Sequence, residues 1–102
     1  MHAASNNGTL ETWLVTVRGR VQGIGYRDAC VRRARELGVT GWVRNRMDES
    51  VEVMFQGSPG QLADMLAWLS NGMADALVEG LETTKVMPPF PRFDKFEQLP
   101  TI

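Results

Sequence analysis

Cysteine and histidine are nearly missing from this chain: its 102 residues include one of each, Cys30 and His2. A single cysteine excludes an internal disulfide and any cysteine-cluster metal site. A single histidine in the opening segment leaves nothing for a Ser-His-Asp triad, a Cys-His pair or a histidine-based zinc site. No metal site built on histidine or cysteine ligands is therefore expected. No run of about 18 apolar residues occurs, so no membrane-spanning helix is expected. Met1 to Gly8 has neither the basic start nor the apolar stretch of a secretory signal, so the expected location is cytoplasmic.

A charge excess is also absent, because 11 lysines and arginines nearly balance 12 acids. The distribution is uneven, however. Between Arg18 and Arg46 stand eight arginines (18, 20, 27, 32, 33, 35, 44 and 46) against only Asp28 and Glu36. The remainder holds three cations against ten acids. This basic stretch is either a solvated helix face with adjoining strand ends, or the place where an anion binds. Arginine's planar fork suits phosphate and carboxylate oxygens.

What is present describes one ordinary soluble domain, 43% hydrophobic and 23% charged. Residues 1–10 are small and polar and read as a flexible tail, leaving 11–102 as the folded domain. From Thr12 to Arg18, β-branched residues alternate so that Trp13, Val15 and Val17 share one strand face. Tyr26 to Leu37 carries apolar residues at 26, 29, 30, 34 and 37, a helical stripe that Gly38 ends. Val39 to Asn45 and Val51 to Gln56 read as two strands joined by a turn around Asp48-Glu49-Ser50. In the second, Val51, Val53 and Phe55 point to the core while Glu52, Met54 and Gln56 point to solvent.

Ser58-Pro-Gly-Gln61 then has the form of a helix start, with Ser58 as N-cap, Pro59 in the first turn and Gln61 completing a capping box. Leu62, Met65, Leu66, Leu69 and Met73 form its buried stripe, and Gly72 is the expected stop. A fourth strand lies within Ala76 to Val86. Pro88 to Pro91 reads as extended, and Phe93 to Leu99 holds a short fifth strand. The order β-α-β-β-α-β predicts an α+β fold: a two-layer ferredoxin-like sandwich, its antiparallel sheet covered by two helices on one face.

Gly19-Arg-Val-Gln-Gly-Ile-Gly-Tyr-Arg27 joins the first strand to the first helix. Three glycines allow successive backbone N–H groups to turn inward as an anion nest. The helix start adds unpaired amides and the positive end of a dipole, with Arg27 in the first turn. The alternative is a tight strand-to-helix turn whose glycines merely fit. The lysine of the common nucleotide-binding loop is missing.

Val17 to Arg27 resembles the acylphosphatase signature x-G-x-V-Q-G-V-x-F-R, with Ile24 in place of valine and Tyr26 in place of phenylalanine. The family's second block, G-W-V-[RK]-N followed by a turn and V-E, is matched by Gly41 to Asn45 and by Val51-Glu52. The family's element order also matches nearly the whole chain. The resemblance implies hydrolysis of the carboxyl–phosphate bond of an acyl phosphate to a carboxylate and inorganic phosphate, with no metal and no organic cofactor. It implies that Arg27 binds the phosphoryl group and that Asn45 positions the attacking water. The backbone N–H groups of Val21, Gln22, Gly23, Ile24, Gly25 and Tyr26 would cradle the phosphoryl oxygens.

Without the resemblance, Asn45 reads first as local turn chemistry at a strand end, and the family match reverses that preference. Its carboxamide has a donor and an acceptor, which suits holding a water in line with phosphorus. The fold would have to bring the first helix's entrance and the end of the second strand to one edge. Glu49 departs from the family by replacing a hairpin glycine, which puts the turn type and the position of Asn45 in question.

Cys30 reads as a small buried hydrophobe, the three tryptophans as packing, and Asp48/Glu49 as a solvated turn. A non-catalytic phosphate-binding module of the same fold is the alternative function. RNA binding would require aromatics that the open face of the third strand does not supply, so no nucleic-acid partner is expected. The expected partners are a small acyl phosphate and inorganic phosphate, with no membrane, on a monomeric chain.

Overall fold

The computed structural model describes residues 9–102. His2 and the first eight residues of the expected tail lie outside them. The elements are β1 (Glu11–Arg20), α1 (Tyr26–Leu37), β2 (Thr40–Asn45), β3 (Val51–Gly57), α2 (Pro59–Asn71), β4 (Leu77–Val86) and β5 (Phe96–Gln98). The strands form one sheet in the order β4-β1-β3-β2-β5, so the expected βαββαβ ferredoxin-like sandwich is found.

Alternation decides which sheet face is buried. Val15 and Val17 of β1, Val43 of β2, and Val51, Val53 and Phe55 of β3 are fully covered. Against them pack Tyr26, Cys30 and Ala34 from α1 and Leu62, Met65 and Leu69 from α2, making one continuous core. Val31 joins this core although the predicted stripe omits it. Leu37, Leu66 and Met73 are only partly buried at its margin. Gly38 ends α1 in the left-handed conformation, its φ of 77° suiting a residue without Cβ.

Two expectations are corrected. First, β5 pairs with β2 in parallel, with Gly41 opposite Phe96 and Val43 opposite Gln98, so the sheet is mixed. The reason is directional. β4 runs antiparallel to β1 and finishes beside its start, Val86 opposite Thr12. The chain then crosses below the sheet, bending at Pro88 and Pro89 rather than staying extended, and re-enters at the start of β2. A strand begun there can only run in the direction of β2.

Second, Gln56 is not solvated but almost fully buried. That crossing segment covers it. Its amide nitrogen donates to Thr12 Oγ1 at 2.9 Å and to the Pro91 carbonyl at 2.8 Å, and its oxygen accepts from the Phe93 amide. A buried carboxamide with every contact satisfied costs little.

Because β3 pairs antiparallel with both β1 and β2, those two strands run the same way and finish at the same end of the sheet. The residues after Arg20 and the residue Asn45 therefore meet at one end.

Candidate functional site

The site starts from a bulge in β1. Its register against β4 slips between Arg18 and Gly19. Gly19 has a φ of 131°, and a Cβ there would lie 2.1 Å from the Leu77 carbonyl oxygen. Only glycine fits so close an approach, and the bulge turns the chain out of the sheet into the loop at 21–25. Gly23 and Gly25 are left-handed, with φ of 79° and 80°. No side chain caps the start of α1 after Gly25. Among the described residues, the amides from 21 to 25 donate to no backbone acceptor. Those of the first helical turn lack partners inside the helix. A cluster of unspent donors thus sits at the positive end of the helix dipole.

A cavity of about 240 Å³ opens here, walled by Val21, Gln22, Gly23, Gly25, Tyr26, Arg27, Asp28, Asn45 and Gln98. An adjoining hollow shares Val21, Gln22, Gly23, Arg27 and Asn45 and adds Gly19, Arg20 and Glu49. Arg27 and Asn45, 18 positions apart in sequence, therefore face one space. Of the expected cradle residues, Ile24 is outside both walls, its side chain leaning on the core. Tyr26 turns its ring inward, where its hydroxyl donates to the Leu69 carbonyl at 2.7 Å. Burial pushes its phenol pKa well above the ordinary value.

Ion pairing sorts the arginines. Arg18 pairs with Glu82 and Asp48, Arg33 with Glu36, and Arg44 and Arg46 with Glu52. Arg44 also stacks over the Trp42 ring. Half of the basic stretch is thus neutralised by acids that lie mostly outside it in sequence. Arg27 enters no ion pair among the described residues and stays half-buried in the cavity wall, its charge available to a ligand.

Asn45 ends β2 opposite Val51. Its carbonyl accepts from the Ile102 amide at 3.2 Å. Its side-chain Oδ1 is buried and has no hydrogen-bond partner among the described residues. Glu49 keeps the left-handed conformation expected of the glycine it replaces, with φ of 74°, and the hairpin closes through Arg46 N–H to the Ser50 carbonyl at 2.9 Å. Asp48 accepts from the Ser50 hydroxyl and amide. These bonds, and more weakly Arg18, hold its carboxyl below the usual carboxylate range.

Sequence reasoning missed two wall residues, Asp28 and Gln98. Gln98 donates its side-chain amide to the Asp28 carboxylate at the rim. Asp28 could have been found from its place beside Arg27 in the first helical turn. Gln98 could not, since only the parallel placement of β5 brings it there.

The family model described as acylphosphatase matches residues 13–98. Acylphosphatase 1 of Ralstonia nicotianae is 70% identical over 102 residues, the whole of both chains. The acylphosphatase of Polaromonas naphthalenivorans is 58% identical over 94 residues, covering 92% of this chain and 93% of that one. The crystal structure of acylphosphatase from Bacillus subtilis superposes with a TM-score of 0.82 at 27% identity, covering 89% of this chain and 99% of its own.

Proposed function

The chain belongs to the acylphosphatase family, and from that premise we propose how its residues divide the hydrolysis of an acyl phosphate. The substrates are small molecules, and the reaction splits a carboxyl–phosphate bond. In the proposed scheme the phosphoryl oxygens rest in the amides of residues 21–26, with the Arg27 guanidinium over them. Asn45 holds a water on the far side of phosphorus from the acyl oxygen. The water oxygen bonds to phosphorus, the phosphorus–acyl oxygen bond breaks, and the carboxylate leaves with the electron pair. The proton of the water passes to a phosphoryl oxygen, giving inorganic phosphate.

The observation that carries this reading is the buried, unpartnered Oδ1 of Asn45 in the wall that also holds Arg27. A buried acceptor left unsatisfied costs roughly 1–3 kcal/mol, and an O–H of the attacking water satisfies it. The remaining demand is charge compensation, because phosphoryl transfer asks the protein mainly for positioning and electrostatics. Backbone dipoles and one guanidinium supply that, so turnover is expected to need no metal. The chain is expected to act as a cytoplasmic monomer, with residues 11–102 as the working unit.

The test is a continuous assay of benzoyl phosphate hydrolysis. Losing an oriented group of this kind costs about 2.7–4 kcal/mol of transition-state stabilisation. Arg27→Ala and Asn45→Ala are therefore expected to fall at least a hundredfold. Arg27→Ala should also weaken phosphate inhibition, whereas Asn45→Ala should lower kcat with inhibition little changed. Wild-type rates in either variant remove the corresponding role, and loss of turnover in a chelator removes metal independence.

A further inference from the structure

The loop that precedes α1 and the hairpin that follows Asn45 approach each other without any backbone hydrogen bond between them among the described residues. They emerge from β1 and β2, and β3 lies between those strands. Two strand spacings of about 4.8 Å leave roughly 10 Å between their ends. The sheet therefore brings the two halves of the site to one end but does not join them.

From the loop itself one side chain spans that gap, beside the exposed Arg18–Asp48 ion pair that reaches the hairpin from β1. The Gln22 side-chain nitrogen donates to the Arg46 carbonyl at 2.9 Å and to the Ser50 carbonyl at 2.9 Å. These carbonyls already close the hairpin, Ser50 accepting from the Arg46 amide and Arg46 from the Glu49 amide. Each carbonyl has a second lone pair, and the two hydrogens of one carboxamide nitrogen fill both. Arg46 directly follows Asn45, so fixing its carbonyl fixes the peptide next to the asparagine. The hairpin also has a left-handed glutamate at position 49, so an outside tie opposes relaxation of that turn.

We propose that the Gln22 side chain is a positioning residue that sets the separation between the phosphate-binding loop and Asn45. This rests on the assignment of Arg27 and Asn45 made above. Gln22 offers its backbone amide to the cradle, while its side chain is committed to the hairpin. Its side chain can therefore be changed with the amide retained. Leucine fills similar space without a donor. Glutamate is the same length, but its ionised form turns acceptors toward two carbonyls and its protonated form recovers one donor.

Because a misplacement of about 1 Å can cost a hundredfold in rate, Gln22→Leu is expected to lower kcat for benzoyl phosphate at least tenfold. Inhibition by inorganic phosphate should change less than threefold. Gln22→Glu should be equally slow at pH 7 and regain activity relative to wild type as pH falls toward its carboxyl pKa, about 4.3. In the Asn45→Ala background, Gln22→Leu should cost little more, since it acts through that asparagine. Wild-type kcat in Gln22→Leu overturns the proposal. So do losses that multiply in the double variant, or a Gln22→Glu activity that ignores pH. If Gln22→Leu does not fold, the glutamate profile decides. Wild-type turnover by Asn45→Ala instead overturns the assignment beneath it.

Discussion

At the scale of single residues, the site depends on groups left without partners. Among the eight arginines of the basic stretch, Arg18, Arg33, Arg44 and Arg46 are committed to carboxylates; of the other four, Arg27 alone lines the cavity of about 240 Å³. The same hairpin holds a residue under strain. Glu49 has a φ of 74°, a left-handed backbone that costs an L-residue with a Cβ about 1–2 kcal/mol. Glycine removes that cost but loses more backbone entropy on folding. Glu49→Gly is accordingly expected to raise unfolding free energy by about 0.5–1 kcal/mol, read from the urea midpoint at unchanged slope. A lowered midpoint would show that the turn stores no such strain.

At the scale of elements, local chemistry sets the helix ends. Ser58 Oγ accepts from the Gln61 amide at 3.3 Å, and Gln61 Oε1 accepts from the Ser58 amide at 2.8 Å. Gln61 Nε2 also donates to the Leu37 carbonyl at 2.9 Å, tying the start of α2 to the end of α1. Ser58→Ala should cost about 1 kcal/mol of stability. Its benzoyl phosphate kcat should stay unchanged, because α2 contributes no residue to the cavity. Equal stability of the variant in a urea titration would mean that the cap adds nothing. The capping box is contiguous in sequence and could be read there. The parallel pairing of β5 could not, because nothing between Phe93 and Leu99 encodes which edge, or which direction, the strand will find.

At the scale of the whole molecule, binding at one end should stabilise the entire cooperative unit. A ligand bound only by the native state adds RT ln(1 + [L]/Kd), about 1.4 kcal/mol at ten times Kd. For a domain of this size that corresponds to a Tm rise of several degrees. Inorganic phosphate at that ratio is expected to raise Tm by this amount in the wild type and much less in Arg27→Ala. Calorimetry showing equal shifts in both would mean that the anion binds elsewhere. The same cooperative burial explains Cys30, which is fully enclosed and whose thiol pKa burial pushes upward. It is packing material, as its position on the helical stripe indicates.

The sequence by itself determined whatever depends on neighbours along the chain: the alternation of β1 and β3, most of each helical stripe, the Gly38 stop of α1, the Ser58–Gln61 capping box of α2, and the glycine-rich loop with Arg27 beside it. The second block, ending at Asn45, was readable as a family pattern, though not from spacing alone. Tertiary structure decided which arginines are neutralised, that Gln56 is roofed over, that Gln98 reaches the cavity, and that Gln22 ties the loop to the hairpin. Apart from the local Arg33–Glu36 pair within α1, these contacts join positions 6 to 70 apart. Strand order and direction bring such segments together, and no local preference of the residues specifies them.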